Sequence, residues 1–374
     1  MTITTLNVSH VELYVTDAIA AAEAFTHGYG FQIYATAERT GPHRASRSLA
    51  LRTGDVILVV TQGLDADHPA AVYTARHGDG IADIALTAPD VRAAFADAVS
   101  REATVLAEPA EADGWVTAVL GAGFDDVRHT FVQRPAGAEA HGVPLPLPGF
   151  EPVAELLPVP AEAPALTLLD HVAVTVQMGE LAASTDYYER VFGYRAIYEE
   201  LMVQGREAMD SKAVRSPVGD ITFTVLAPSP EYEAGHIGDF LQRHGSGGVH
   251  HLAFATEEIV ETVARLNKRG VAFLSTPDTY YDALAGRLDL NRHSLEELRA
   301  AGILADEDHA GQLFQIFTRT VHPKRTLFFE IIERMGADTF GGGNVRALYE
   351  AVQAEKADHE DATTTVEAIP ERAQ

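Results

Sequence analysis

The sequence predicts an α+β protein made of two tandem domains, each a pair of βαβββ modules curled into a half-barrel. Three observations carry that expectation. A proline-rich stretch from Pro135 to Pro164 divides the chain, and similar text recurs on either side of it. In each half, short apolar runs and amphipathic stretches follow the order strand, helix, strands, then strand, helix, strands again. A chain of 374 residues with 46% hydrophobic content can bury two cores of ordinary size. The expected units are a structural domain over residues 1–134 and a catalytic domain over 166–356. An extended linker over 135–165 joins them, and the acidic tail over 357–374 is expected to be disordered.

Taken in order, V-S-H-V-E-L-Y-V from Val8 reads as a strand, followed by a helical stretch that closes on Tyr29-Gly30-Phe31. The second copy opens with L-D-H-V-A-V-T-V from Leu169 and closes its helix on Phe192-Gly193-Tyr194. H-G-D-G-I-A-D-I-A-L from His77 matches H-G-S-G-G-V-H-H-L-A-F from His244. Each leads into an amphipathic helix, D-V-R-A-A-F-A-D-A-V and E-I-V-E-T-V-A-R-L. The last pair is R-H-T-F-V-Q-R from Arg128 and F-F-E-I-I-E-R from Phe328. An insertion near residues 281–310, carrying the helix-start signal Ser294-Leu-Glu-Glu297, lengthens the second copy. Many strand runs are continuously apolar, as expected of a sheet covered on one face and curled round a cavity on the other.

The composition excludes several classes of function. With 28 basic against 54 acidic residues, the net charge of −26 disfavours nucleic acid and anionic lipid. No cysteine is present, which removes disulfides, thiolate metal sites, iron–sulfur clusters and a cysteine nucleophile. The amino terminus lacks a basic segment followed by an apolar stretch, and no apolar run is long enough to span a bilayer, so a cytoplasmic protein is expected.

His171, His251 and Glu330 each sit in an apolar strand run, too far apart in sequence for any local motif to join them. Two imidazoles and a carboxylate with open positions suit non-haem Fe(II), while the same donors with a water serve hydrolytic zinc. No His-Glu-x-x-His run occurs here. Glu330 lies between Phe328, Phe329, Ile331 and Ile332, where an ionised carboxylate is costly unless it is paired or metal-bound. The matching positions in the first half are His10, Asp83 and Thr130, and Thr130 is a poor ligand, so one working site is expected. His250 adjoins His251, and neighbours on a strand face opposite ways unless a bulge intervenes.

The segments F-L-S-T-P-D-T-Y-Y-D, I-L-A-D-E-D-H-A-G-Q-L-F-Q-I-F-T and F-G-G-G-N-V-R-A-L-Y-E-A join G-V-H-H-L-A-F and F-F-E-I-I-E-R in the second half. Together they resemble the 4-hydroxyphenylpyruvate dioxygenase family of the vicinal oxygen chelate superfamily. R-S-L-A-L-R-T-G-D-V-I-L-V-V-T-Q extends the likeness through the first half. The resemblance implies one Fe(2+) per chain held by His171, His251 and Glu330, an aromatic 2-oxo acid and O₂ as substrates, and a homo-oligomer. It also implies a pocket containing Ser211, Thr224, Gln315, Phe317, Phe340 and Tyr349.

Departures from the family pattern point to a branch. Val345 follows F-G-G-G-N where ring-attacking members carry phenylalanine, and Leu226 and Pro228 replace a proline and an asparagine of the strand F-P-I-N-x-P. Both changes resemble the 4-hydroxymandelate synthase branch, which implies benzylic hydroxylation to 4-hydroxymandelate and CO₂ rather than homogentisate formation. His236 and His250 stand where family members carry glutamine, and are expected near the ring end of the cavity. A non-catalytic protein binding an aromatic ligand on the same fold is the reading from another class.

Overall fold

The computed structural model describes residues 6–42, 44–136, 146–156, 160, 162–218, 221–340, 344 and 346. The predicted tail lies outside the described residues, as do parts of the linker. The first half runs β1 (Asn7–Tyr14), α1 (Ala18–Tyr29), β2 (Gln32–Arg39), β3 (Ser46–Thr53), β4 (Val56–Gly63), α2 (Pro69–His77), β5 (Gly80–Thr87), α3 (Val91–Ser100), β6 (Val105–Ala112), β7 (Trp115–Gly121) and β8 (Arg128–Gln133). A two-residue strand from the linker, β9 (Glu151–Pro152), pairs with β2 at the sheet edge, where a proline's missing N–H costs no ladder bond.

The second half repeats the pattern as β10 (Leu169–Thr175), α4 (Leu181–Phe192), β11 (Arg195–Gln204), β12 (Glu207–Arg215), β13 (Thr222–Pro228), α5 (Gly235–His244), β14 (Gly248–Ala255) and α6 (Ile259–Lys268). It continues through α7 (Asp278–Arg287), α8 (Leu295–Ala301), β15 (Leu304–Glu307), β16 (Gln312–Phe317) and β17 (Phe328–Met335). The first sheet is ordered β6-β7-β8-β5-β1-β4-β3-β2-β9, and the second, read from its far edge, β15-β16-β17-β14-β10-β13-β12-β11. Apart from β9 the two orders correspond strand for strand, so the repeated text does produce a repeated curled sheet.

Local chemistry explains the shared boundaries. Asp17 caps α1 by accepting from the backbone N–H groups of Ile19 and Ala20. Gly30 and Gly193 end α1 and α4 at φ 75° and 69°, a left-handed turn that strains other residues. The extra segment of the second half is α7 plus α8, the latter opened by a full capping box of Ser294 and Glu297. Its limits differ from the expected 281–310. α7 begins at Asp278, and Leu304–Glu307 is β15, the counterpart of β6.

The halves pack by the same exchange in both directions. Phe25 and Tyr29 of α1 pack edge-on against Phe329 of β17, at 5.5 and 5.2 Å between ring centroids, while Tyr188 of α4 hydrogen-bonds His129 of β8 at 2.9 Å. The equivalent residues His77 and His244 meet ring on ring at 4.3 Å, and His77 bonds the His244 carbonyl at 2.8 Å and Asp126 at 2.9 Å. The helices α1 and α4, packed on strands of their own half, thus also reach a strand of the other. The concave faces are left to hold polar groups.

Both sheets also carry paired irregularities. The β1–β5 ladder skips Ser9 and Ala82, and the β10–β14 ladder skips Asp170 and His250. Such bulges turn an extra residue toward the face of its neighbour.

Candidate metal centre

His171, His251 and Glu330 come from three adjacent strands, β10, β14 and β17. His171 and Glu330 lie opposite the same residue, Ala253, from its two sides, and His251 precedes Ala253 by two positions and so shares its face. The small Ala253 side chain leaves the space between them open. Nε2 of His171 and Nε2 of His251 each stand 3.3 Å from Glu330 Oε2, and the donor atoms of all three residues lie within 4.8 Å of one another. All three side chains are buried.

Their electrostatics are coupled. Burial alone would raise the Glu330 carboxyl, but the two imidazoles hold it down to about 2. Burial also opposes charge on His171, yet Glu330 and then Asp170 raise it to about 9. His251 is instead lowered: burial outweighs the raising effect of Glu330, and the neighbouring His171 adds to the fall. Its far nitrogen meets the imidazole of His250 rather than a carboxylate. Asp170 accepts from His171 Nδ1–H at 2.8 Å and is clasped by both arms of Arg334 at 2.7 and 2.8 Å, which holds its carboxyl far below the ordinary range.

Among the described residues, the remaining oxygen, Glu330 Oε1, is buried without a hydrogen-bond partner, as are Thr224 Oγ1 and Gln315 Oε1. All three residues line one cavity. Buried unsatisfied acceptors converging on two imidazoles fit a divalent cation and a polar ligand beside it, and the donor set accommodates iron or zinc.

Of the residues singled out in the sequence, Ser211, Thr224, Leu226, His236, His250, Gln315, Phe317 and Phe340 line this cavity with the triad. Val345 and Tyr349 lie outside the described residues. Phe340 meets His171 edge-on at 4.6 Å, and Phe317 approaches His251 at 6.1 Å. The bulge needed for His250 to join the face of His251 is present. Tyr198 and Met209 also line the cavity without having been singled out, and the Asp170–Arg334 pair was likewise missed. Asp170 immediately precedes His171, and that adjacency was the available signal.

The first half places different chemistry at the corresponding positions. Arg128 bonds Asp83 at 2.8 Å, Glu12 at 3.0 Å and the Tyr14 hydroxyl at 2.6 Å, while Thr61 donates to Glu12 at 2.7 Å. Thr130 donates its hydroxyl to Asp83. His10 is paired with Ser9 at 3.2 Å.

Comparison with known proteins agrees with this architecture. Residues 168–315 match the Glyoxalase/Bleomycin resistance protein/Dioxygenase superfamily. A 4-hydroxyphenylpyruvate dioxygenase of Dictyostelium discoideum is 29% identical over 93% of this chain and 97% of its own length. A probable 4-hydroxyphenylpyruvate dioxygenase 2 of Aspergillus fumigatus is 30% identical over 93% of each. The solved structure of a triple mutant of 4-hydroxymandelate synthase from Streptomyces coelicolor superposes with a TM-score of 0.82 at 40% identity, covering 94% of this chain and 98% of that one. The chain belongs to the 4-hydroxyphenylpyruvate dioxygenase family.

Proposed function

We propose that this protein is an Fe(II)-dependent dioxygenase that converts 4-hydroxyphenylpyruvate and O₂ to 4-hydroxymandelate and CO₂. The observation that carries the reading is the convergence of His171, His251 and Glu330 at a cavity whose acceptors have no partner among the described residues, in a chain 40% identical to a 4-hydroxymandelate synthase. These three residues would hold the metal. Bound there, Fe(II) would supply the redox chemistry that couples O₂ to decarboxylation of a 2-oxo acid.

The chain's own residues do the positioning. Phe317 and Phe340 would clamp an aromatic ring by edge or offset contacts. Ser211, Thr224, Gln315 and His236 supply hydrogen-bonding groups for the ring hydroxyl and the acid. Leu226, buried at 5% exposure, gives the cavity an aliphatic wall. An aliphatic wall at this point would let the ring tilt and bring the benzylic carbon toward the metal. Arg334 ties Asp170 to the carbonyls of Ala337 and Thr339 and stacks on Phe340 at 5.3 Å, so one guanidinium braces both the support of His171 and the cavity wall.

The test is one incubation of metal-reconstituted protein with 4-hydroxyphenylpyruvate, following O₂ uptake and separating products. 4-Hydroxymandelate as the main product is expected. Homogentisate would overturn the branch, and absence of O₂ uptake by metal-loaded protein would favour a binding protein.

A further inference from the structure

The bulge at His250 does more than change the direction of a strand. It brings His250 Nδ1 to 3.1 Å from His251 Nδ1, inside the sheet and out of contact with bulk water. Two neutral imidazoles meeting in this way share one hydrogen, so one ring donates and the other accepts. His251 turns its other nitrogen, Nε2, toward Glu330 at 3.3 Å. A nitrogen that binds a cation carries no hydrogen, so a metal-binding His251 must keep its hydrogen on Nδ1 and needs an acceptor there. His250 Nδ1 is the atom in place to accept it.

We infer that His250 is a positioning residue for the metal centre: by accepting the Nδ1–H of His251 it fixes the tautomer and ring orientation that leave His251 Nε2 free to bind the metal. The inference rests on the reading of His251 as a ligand. It also fixes His250, whose remaining hydrogen then sits on Nε2 and makes this cavity-lining ring a donor toward a bound molecule. The two histidines of the triad are then supported by one rule. Each is backed by the residue just before it in the chain, His171 by Asp170 at 2.8 Å and His251 by His250, and each of those residues is the extra one in a bulge. The first half keeps both bulges but fills them with Ser9 and Ala82. Ala82 has no side-chain acceptor, in the half where Asp83 stands in the place of His251.

The experiment is titration of the metal-stripped full chain with Co(II), read from its visible bands, for the parent protein and for His250→Leu, His250→Gln and His251→Ala. Leucine removes the acceptor and should weaken Co(II) binding by ~10–100-fold. Glutamine offers an amide oxygen in its place and should recover most of the loss, while His251→Ala should lose more than either. Independently, ¹⁵N-histidine spectra of the Zn(II)-loaded parent protein should show hydrogen on His251 Nδ1 and on His250 Nε2. Co(II) binding by His250→Leu equal to that of the parent, or hydrogen on His250 Nδ1 in the Zn(II)-loaded spectrum, would overturn the inference. If His250→Leu does not fold, the spectrum of the parent decides alone. If the parent binds neither ion, or His251→Ala binds as tightly as the parent, the ligand reading itself is wrong, a result distinct from loss of the positioning role.

Discussion

The concave centres of the two halves share strand order, register and bulges, yet they treat charge in opposite ways. In the first, the Arg128 guanidinium reaches Asp83, Glu12 and Tyr14, so the acids are neutralised by a cation that belongs to the chain. In the second, Phe328 stands at the position of Arg128, Glu330 replaces Thr130, and the carboxylate faces two imidazoles. Equivalent histidines register the difference. Burial pushes His10 down to about 4, with Asp83 opposing and Arg128 adding to the shift, whereas Glu330 and Asp170 lift His171 to about 9 against its burial. One scaffold thus makes a closed polar core when it carries its own cation, and on the proposed reading would offer a donor set to an external one when it does not.

That contrast can be broken most directly at the matched positions on β17 and β8. Glu330→Ala should lower O₂ uptake and Co(II) affinity by more than the ~100-fold expected for loss of an outer partner. Thr130→Ala should leave both unchanged, and an equal loss in both variants would erase the distinction between the halves. Next in size is stability. Arg128→Leu leaves Asp83 and Glu12 as buried acids without their cation and should cost about 3–5 kcal/mol in urea unfolding, with Co(II) affinity retained. At the interface, His77→Leu removes two bonds and strands the carbonyl of His244, which should cost ~1–3 kcal/mol by the same measurement.

The pH response sharpens the comparison further. His10 has a folded value of about 4 against 6.5 when free, so between these values the unfolded chain takes up a proton that the folded chain does not. Stability should therefore fall as pH drops from 6.5 towards 4, and His10→Gln should flatten that slope in unfolding curves. Smallest is Ser294→Ala in the capping box of α8, expected to cost ~1 kcal/mol with activity unchanged, since this segment has no counterpart in the first half.

Much of this was legible in the chain. The repeat text around His10 and His171, and around His77 and His244, yields the same strand order twice because apolar period and helix-ending glycines act locally. Glu330 could be singled out because a carboxylate within an aromatic and aliphatic run needs a partner. The extra segment was recognised from Ser294 and Glu297, but its limits were not, because β15 is a strand only by pairing with β16. The pairing of Asp170 with Arg334 escaped notice, since a salt bridge across so much sequence has no local signature, although the place of Asp170 beside His171 was in plain view.

The sequence by itself determined the two-fold repeat and brought out His171, His251 and Glu330 as candidate donors, because composition and periodicity act over a few residues at a time. Only the tertiary structure decided which nitrogen of each histidine faces Glu330, that bulges bring Asp170 and His250 behind the two rings, and that Arg128 closes the first half's centre. Those outcomes depend on how strands distant in sequence pair, where a skipped residue in the ladder reverses the direction of a side chain.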